Sequence, residues 1–305
     1  MNKTNLFNEI ITDRGSFDRY RNSKETFMPL IKYIYEINNI KLSKVFVTPQ
    51  SSDAVFRVGD TVIKIFQPPE ANMGNGDREY ITEVKVMEHA RNLGILVPDM
   101  ICNGTIYDEL YTFNYTVMNY IKGISANEAL INYSNAEKID FALKLKEIMA
   151  KFNTPNPNLP IPRFDEPDRI NNIFWSGMPE SFKEDRIHYI TNTIFPELVI
   201  CKGDTGGQNI IIDDKKRLFL IDFAESNHAP YYYDLPLLYS EPVLMEAYYG
   251  DYKNETFYEM ATMSELLSWW CGIGWLADKA GVDIASITSV DALKNMIIKQ
   301  INGGF

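Results

Sequence analysis

Between Val199 and Leu235 the chain reads VICKGDTGGQNIIIDDKKRLFLIDFAESNHAPYYYDL, and three of its side chains have the types and spacing for chemistry on phosphate. Asp204 sits in a polar, glycine-containing loop directly after an apolar run. Asn209 follows five residues later, where the next apolar run begins, and Asp222 ends a third in Ile221-Asp222-Phe223. A carboxylate, a carboxamide and a second carboxylate are thereby delivered to one end of a small hairpin. Phosphoryl transfer needs such a set: hard oxygen ligands hold Mg²⁺ on the phosphates, and a carboxylate orients the attacking hydroxyl. Asp-x4-Asn alone carries little weight, because short spacings of common residues arise by chance. Ile-Asp-Phe downstream and Asp234 beyond it make the pattern specific.

The elements that must position these residues are legible in outline. Lys44–Thr48, Ala54–Val58 and Thr61–Phe66 read as strands, the last two joined by a tight turn at Gly59-Asp60. A loop over Gln67–Asp77 leads into a helix over Arg78–Asn92. Two further strands follow, near Met100–Ile106 and Leu110–Met118. That predicts an antiparallel sheet of about five strands with one helix inserted after the third, preceded by a helix over Thr26–Asn39. Ser134 to Glu137 is a capping box that opens a long amphipathic helix over Ala136–Phe152. Beyond Asn153 come a proline-rich loop to Pro167, a short strand at Leu198–Cys201 and two strands at Asn209–Ile212 and Arg217–Phe223. The turn Asp213–Lys216 between these two reads as solvated. Leu235–Ile301 is mostly helical, and the apolar stretch Leu266–Ala277, with Trp269, Trp270 and Trp275, reads as a buried helix too short to span a bilayer.

The segment around Asp204 resembles the Gly-Asp-x4-Asn … Ile-Asp-Phe/Trp … Asp-Leu signature of the aminoglycoside phosphotransferases, which share the protein-kinase-like fold. The resemblance runs from about residue 45 to 240. It implies an α+β, two-lobed chain: a nucleotide-binding lobe over residues 1–118, a hinge at 119–122, and a catalytic and acceptor-binding lobe over 123–305. It implies Asp204 as catalytic base, Asn209 and Asp222 as Mg²⁺ ligands, and Asp234 as a structural carboxylate beneath the loop. Lys64, in the alternating strand Val62–Phe66, matches the lysine that touches the α- and β-phosphates. Glu83 matches its helical partner, with Glu79, one turn earlier, competing. Ser51 and Ser52 fall in the phosphate-covering loop Pro49–Asp53, which lacks glycine. Asn119 and Ile121 match the backbone positions offered to adenine. One departure stands out: Lys202 occupies the place of the usual loop-bracing His, leaving open whether it braces or touches a phosphate.

The co-substrate implied is ATP or GTP, and the acceptor a small hydroxyl compound, an aminoglycoside first. Choline, a sugar derivative or a macrolide stays open, as does an inactive nucleotide-binding protein. A cationic acceptor calls for carboxylates; Glu225, three residues past Asp222, is the nearest, with Glu241, Glu246, Asp251, Glu255, Glu259 and Glu265 behind it. The carboxylate of Phe305 is a further candidate. Tyr231–Tyr233 and the three tryptophans read either as core packing or as an aromatic acceptor wall.

Composition sets the outer limits. The 305 residues are 45% hydrophobic, enough for two cored lobes, and carry a formal net charge of −11, which argues against a nucleic-acid partner. The 3 cysteines and 3 histidines form no metal-binding spacing and no even disulfide set, which points to free thiols and a reducing compartment. The expectation is a cytoplasmic protein without a membrane segment.

Overall fold

The computed structural model describes residues 4–48, 51–71 and 76–303. Pro49 and Gln50 of the predicted phosphate loop lie outside the described residues, as do part of the loop after Gln67 and Phe305. In chain order the helices are α1 (Arg14–Tyr20), α2 (Lys24–Ile37), α3 (Gly76–Asn92), α4 (Ala126–Asn132), α5 (Asn135–Phe152), α6 (Pro167–Ile170), α7 (Glu180–Asn192), α8 (Pro242–Tyr249), α9 (Glu255–Leu267), α10 (Ile273–Ala280) and α11 (Val290–Gly303). The strands are β1 (Val45–Val47), β2 (Ala54–Val58), β3 (Thr61–Ile65), β4 (Met100–Tyr107), β5 (Thr112–Asn119), β6 (Gly123–Ser125), β7 (Val199–Cys201), β8 (Ile210–Asp213), β9 (Leu218–Leu220) and β10 (Asn227–Ala229).

The front sheet has five antiparallel strands in the order β1-β2-β3-β5-β4. Gly59, with φ +63°, turns the β2–β3 hairpin as its position predicts. Helix α3 is inserted between β3 and β4, so β3 lies beside β5 and Lys64 sits opposite Thr116. One face of the sheet is sealed by α2, whose apolar residues recur at helical spacing (Phe27, Leu30, Ile31, Ile34) and meet Phe56, Ile63, Ile65 and Phe113. The Ser23 side chain caps that helix at Thr26 N–H.

A second core crosses from front to back. Val86, Met87 and Ala90 of α3 share it with Met118, Ile200, Ile210, Ile212 and Phe223. The inserted helix is thus seated on the hairpin that carries the acidic residues. The buried face of α3 includes one acid, Glu83. In the back half β6, β8 and β9 form one small sheet and β7 and β10 another. Ser134 and Glu137 close the predicted capping box on α5. Helices α7, α9, α10 and α11 share a third core. Among the described residues no helix is long and apolar enough to cross a membrane.

Three local expectations need correction. The predicted buried helix over Leu266–Ala277 is two pieces: α9 stops at Leu267, α10 begins at Ile273, and Trp270 and Trp275 lie exposed. Asp213 is buried, its carboxylate closing its own turn by accepting from the N–H groups of Lys215 and Arg217 and from Arg217 Nε at 2.7 Å. Asp222 is beyond its strand: β9 ends at Leu220, and Asp222 adopts φ +59°. Left-handed backbone at a non-glycine residue costs of order 1–2 kcal/mol, so packing must hold it there.

Candidate active site

What holds Asp222 is Lys64. Its Nζ lies 2.9 Å from Asp222 Oδ1, 3.5 Å from Glu83 Oε2 and 3.3 Å from Asp53 Oδ2. Strand β3, helix α3 and the loop after β9 therefore meet at one ammonium, fixed further by Phe223 N–H donating to Glu83 Oε2 at 2.8 Å. Glu83, not Glu79, makes the ion pair. Asp53 was not anticipated. It stands one residue before β2, is fully buried, and belongs to no short motif that would have flagged it.

Burial alone pushes the Lys64 ammonium down, but the carboxylates of Asp222, Glu83 and Asp53 overcome that and hold it well above its ordinary value. One ammonium does not satisfy three acids equally. Burial raises Asp53 and Glu83. Asp222 also pays for burial, yet Lys64 and Lys202 together hold it below the usual carboxylate range.

The Asp204 loop hangs on Asp234, whose Oδ2 accepts the Lys202 N–H and whose Oδ1 accepts the Gly203 N–H at 3.0 Å. Burial pushes Asp234 up to about 6. Gly203 has φ +88°, and a Cβ there would stand 2.1 Å from the Glu225 carbonyl oxygen, so no other residue fits. Lys202 is wholly buried and donates from Nζ to the carbonyl oxygens of Asp204 at 2.6 Å and Asp222 at 2.8 Å. It is thus a brace joining the two acidic loops, and its ammonium points at backbone. Burial lowers its pKa. The Asp204 carboxylate accepts from Gly206 N–H at 3.0 Å and from Gln208 Nε2 at 3.4 Å, and Gln208 is a partner that sequence reasoning missed.

Asn209 lies at the end of a 3₁₀ turn, Gly207–Asn209, immediately before β8. Its Nδ2 donates to the Asp204 carbonyl at 3.4 Å, which leaves Oδ1 for a cation. Asp222 keeps Oδ2 beyond the Lys64 contact. Two hard oxygens fit Mg²⁺, which takes one or two protein ligands and completes its shell with phosphate and water. Among the described residues no group of three or more His, Cys, Asp or Glu is placed to hold a metal by itself.

The remaining expected positions are less uniform. Ser51 Oγ accepts its own loop's Asp53 N–H at 3.1 Å, and the Ser52 carbonyl accepts from Arg14 Nη2 at 3.1 Å and Gln67 Nε2 at 3.4 Å. Asn119 ends β5 with its N–H donated to the Asp99 carbonyl at 3.0 Å, and half-buried Ile121 follows. A cavity of about 1130 Å³ opens beside this segment, lined by Asn119, Ile121, Asp99, Asp213 and Lys216 but by none of Lys64, Asp204 or Asp222. Glu225 lies 3.4 Å from Arg169 Nη2, and burial raises it despite that cation.

No protein-family model matches the sequence, and no curated protein matches it. Solved structures do. The GDP complex of wild-type aminoglycoside 2'-phosphotransferase-IIIa is 16% identical, with a TM-score of 0.61 over 92% of this chain and 100% of that one. The fold is that of the aminoglycoside phosphotransferases. The GDP and kanamycin complex of APH(2")-IIia gives a TM-score of 0.62 at 15% identity, covering 92% of this chain and 100% of that one. Aminoglycoside phosphotransferase APH(4)-Ia gives 0.56 at 13% identity, covering 89% of this chain and 98% of that one. Sequences this far apart share a backbone plan, so the roles of individual side chains in this phosphotransferase fold rest on the geometry above.

Proposed function

We propose that the chain is a nucleotide-dependent phosphotransferase that moves the γ-phosphate of ATP or GTP to a hydroxyl of a small molecule. The observation that carries the reading is the meeting of Lys64, Glu83 and Asp222 across the lobes, with Asp204 and Asn209 in the braced loop below. In the step, the acceptor oxygen bonds to the γ-phosphorus as the bond to the bridging oxygen breaks, and that electron pair leaves on the nucleoside diphosphate. The acceptor proton passes to the Asp204 carboxylate and then to water. Lys64 neutralises phosphate charge; Asn209 Oδ1 and Asp222 would hold Mg²⁺, which would supply charge compensation at the phosphates. Ser51 and Ser52 cover the phosphates, and the Asn119–Ile121 segment meets the base. The intact ion-pair centre and the accounted-for role of Lys202 argue against an inactive protein.

Aminoglycosides are the acceptors to try first, since kanamycin and hygromycin B appear bound in structures of this fold. A second reading, a kinase for a less cationic alcohol, is favoured by Glu225, which is already paired with Arg169. The test is nucleotide consumption with Mg²⁺ over a panel of aminoglycosides, macrolides, choline and sugar alcohols, with product mass read directly. A phosphorylated alcohol supports the proposal; nucleotide binding without a phosphorylated product from any class overturns it.

A further inference from the structure

Several of the acids that a polycationic acceptor needs are engaged within the protein, while Glu246 and Asp251 lie exposed. Lys138 Nζ holds Glu241 at 2.7 Å, and Lys294 holds both Glu255 and Glu259. Glu265 is half-buried and hydrogen-bonded with Tyr239. Glu225 faces Arg169, and Arg169, Glu225, Ala224 and Trp269 line one crevice a few residues from Asp222. The same crevice is flanked by aromatics. The Phe174 ring lies 4.1 Å from Trp270 and 6.0 Å from Trp269. Phe174 is 39% and Trp270 44% exposed, where an ordinary core cluster would be covered.

Trp269 is held firmly. Its N–H donates to Tyr233 Oη at 3.2 Å, its carbonyl accepts from Asn172 Nδ2 at 3.1 Å, and the Arg169 guanidinium covers one face at 5.0 Å from the ring centroid. Tyr233 adjoins Asp234, the residue that carries the Asp204 loop, so platform and loop share one support. Arg169 also has a buried Nη1 with no hydrogen-bond partner among the described residues. A buried donor left unmade costs about 1–3 kcal/mol, and an oxygen acceptor on a bound molecule would satisfy it.

We propose that Phe174, Trp269 and Trp270, beside the Arg169–Glu225 pair, form an acceptor subsite for an alcohol that has an extended apolar face and an oxygen acceptor, in place of a polycation. The proposal rests on the phosphotransferase reading and narrows its substrate class. Large, rigid aromatics bind an apolar face at low entropic cost. Arg78 and Glu79 line the crevice as well, so two cations face two carboxylates and the crevice offers a polyamine no net charge attraction.

The test is calorimetry on the full chain loaded with Mg²⁺ and AMP-PNP, titrated with erythromycin and with kanamycin at 0.1 and 0.5 M NaCl. Erythromycin is expected to bind more tightly, with a negative heat-capacity change and affinity nearly independent of salt. Trp270→Ala and, separately, Phe174→Ala should each weaken it at least roughly tenfold, as expected for aromatic anchors, and raise KM more than they lower kcat. Ile194→Ser, at a remote and exposed position, should leave it unchanged. Tighter kanamycin binding that fades with salt, no erythromycin binding, or erythromycin binding indifferent to both aromatic substitutions overturns the proposal. Absence of AMP-PNP binding instead overturns the parent reading.

Discussion

The lobe junction and the acceptor crevice are a few residues apart and are built on opposite principles. At the junction, charged side chains from three elements converge on Lys64 within 3.5 Å, with every member buried or braced. In the crevice, one ion pair is surrounded by half-exposed rings and an unpartnered Arg169 donor. A triphosphate with its metal has one charge pattern, and the groups that answer it are constrained in type and distance. An acceptor alcohol is constrained only at its hydroxyl, so the rest of its site is free to be aromatic or acidic.

The contrast can be broken from the junction side first. Asp222→Ala is expected to remove Mg²⁺-dependent nucleotide binding altogether, because the phosphates lose their metal bridge and Lys64 its nearest partner; titration with MgATP and MgGTP checks it. Lys64→Ala should weaken triphosphate binding far more than adenosine binding. It should also destabilise the fold by about 3–5 kcal/mol, the usual result of leaving buried charge uncompensated, measured by denaturant unfolding. Equal loss for both ligands would move Lys64 out of the phosphate site.

Lys202 gives a sharper and smaller effect. Lys202→Met leaves the Asp222 carbonyl without its Lys202 donor and the Asp204 carbonyl with only the longer Asn209 contact, at a cost of about 1–3 kcal/mol. The expected signature is a fall in kcat with little change in the acceptor KM, with partial recovery in Lys202→His. An unchanged kcat would show that the two loops hold their places without the brace.

The smallest effect is one of pH. Burial and the nearby carboxylates of Asp53 and Glu225 push Glu79 up to about 8, with Lys64 opposing and Asp222 adding to the rise. An acid raised on folding contributes stability that is fully present below its unfolded value near 4.5 and is lost as pH rises through about 8. Thermal unfolding between pH 6.5 and 9 should therefore show a decline on the order of 1–2 kcal/mol, and Glu79→Gln should flatten it. A decline of the same size in the variant would assign it to another group.

The sequence made the junction readable and the crevice obscure for the same reason. Asp204, Asn209 and Asp222 share one short segment whose types and spacing announce them, while Lys64 and Glu83 follow from the resemblance that segment carries, which leaves Glu79 competing with Glu83. The five antiparallel strands, the inserted helix and the Ser134 capping box were legible through period and turn chemistry. Asp53 was not, because a single acid ahead of a strand has no local signature and gains its meaning from Lys64, eleven positions on. The apolar run predicts Asp222 at a strand end, whereas packing against Lys64 holds it in a left-handed turn beyond it. Apolar composition predicts a continuous buried helix through the tryptophans because it is blind to the break between Leu267 and Ile273.

The central claim is that Asp204 acts on the acceptor hydroxyl while the groups around Lys64 bind the nucleotide. Transfer of labelled γ-phosphate to the acceptor by the natural chain and by Asp204→Ala, with nucleotide affinity measured on both, tests it most directly. The account predicts nucleotide affinity within a few-fold and transfer reduced at least roughly 10²–10⁴-fold, the usual worth of a positioned base. Transfer at the unaltered rate in Asp204→Ala would contradict it.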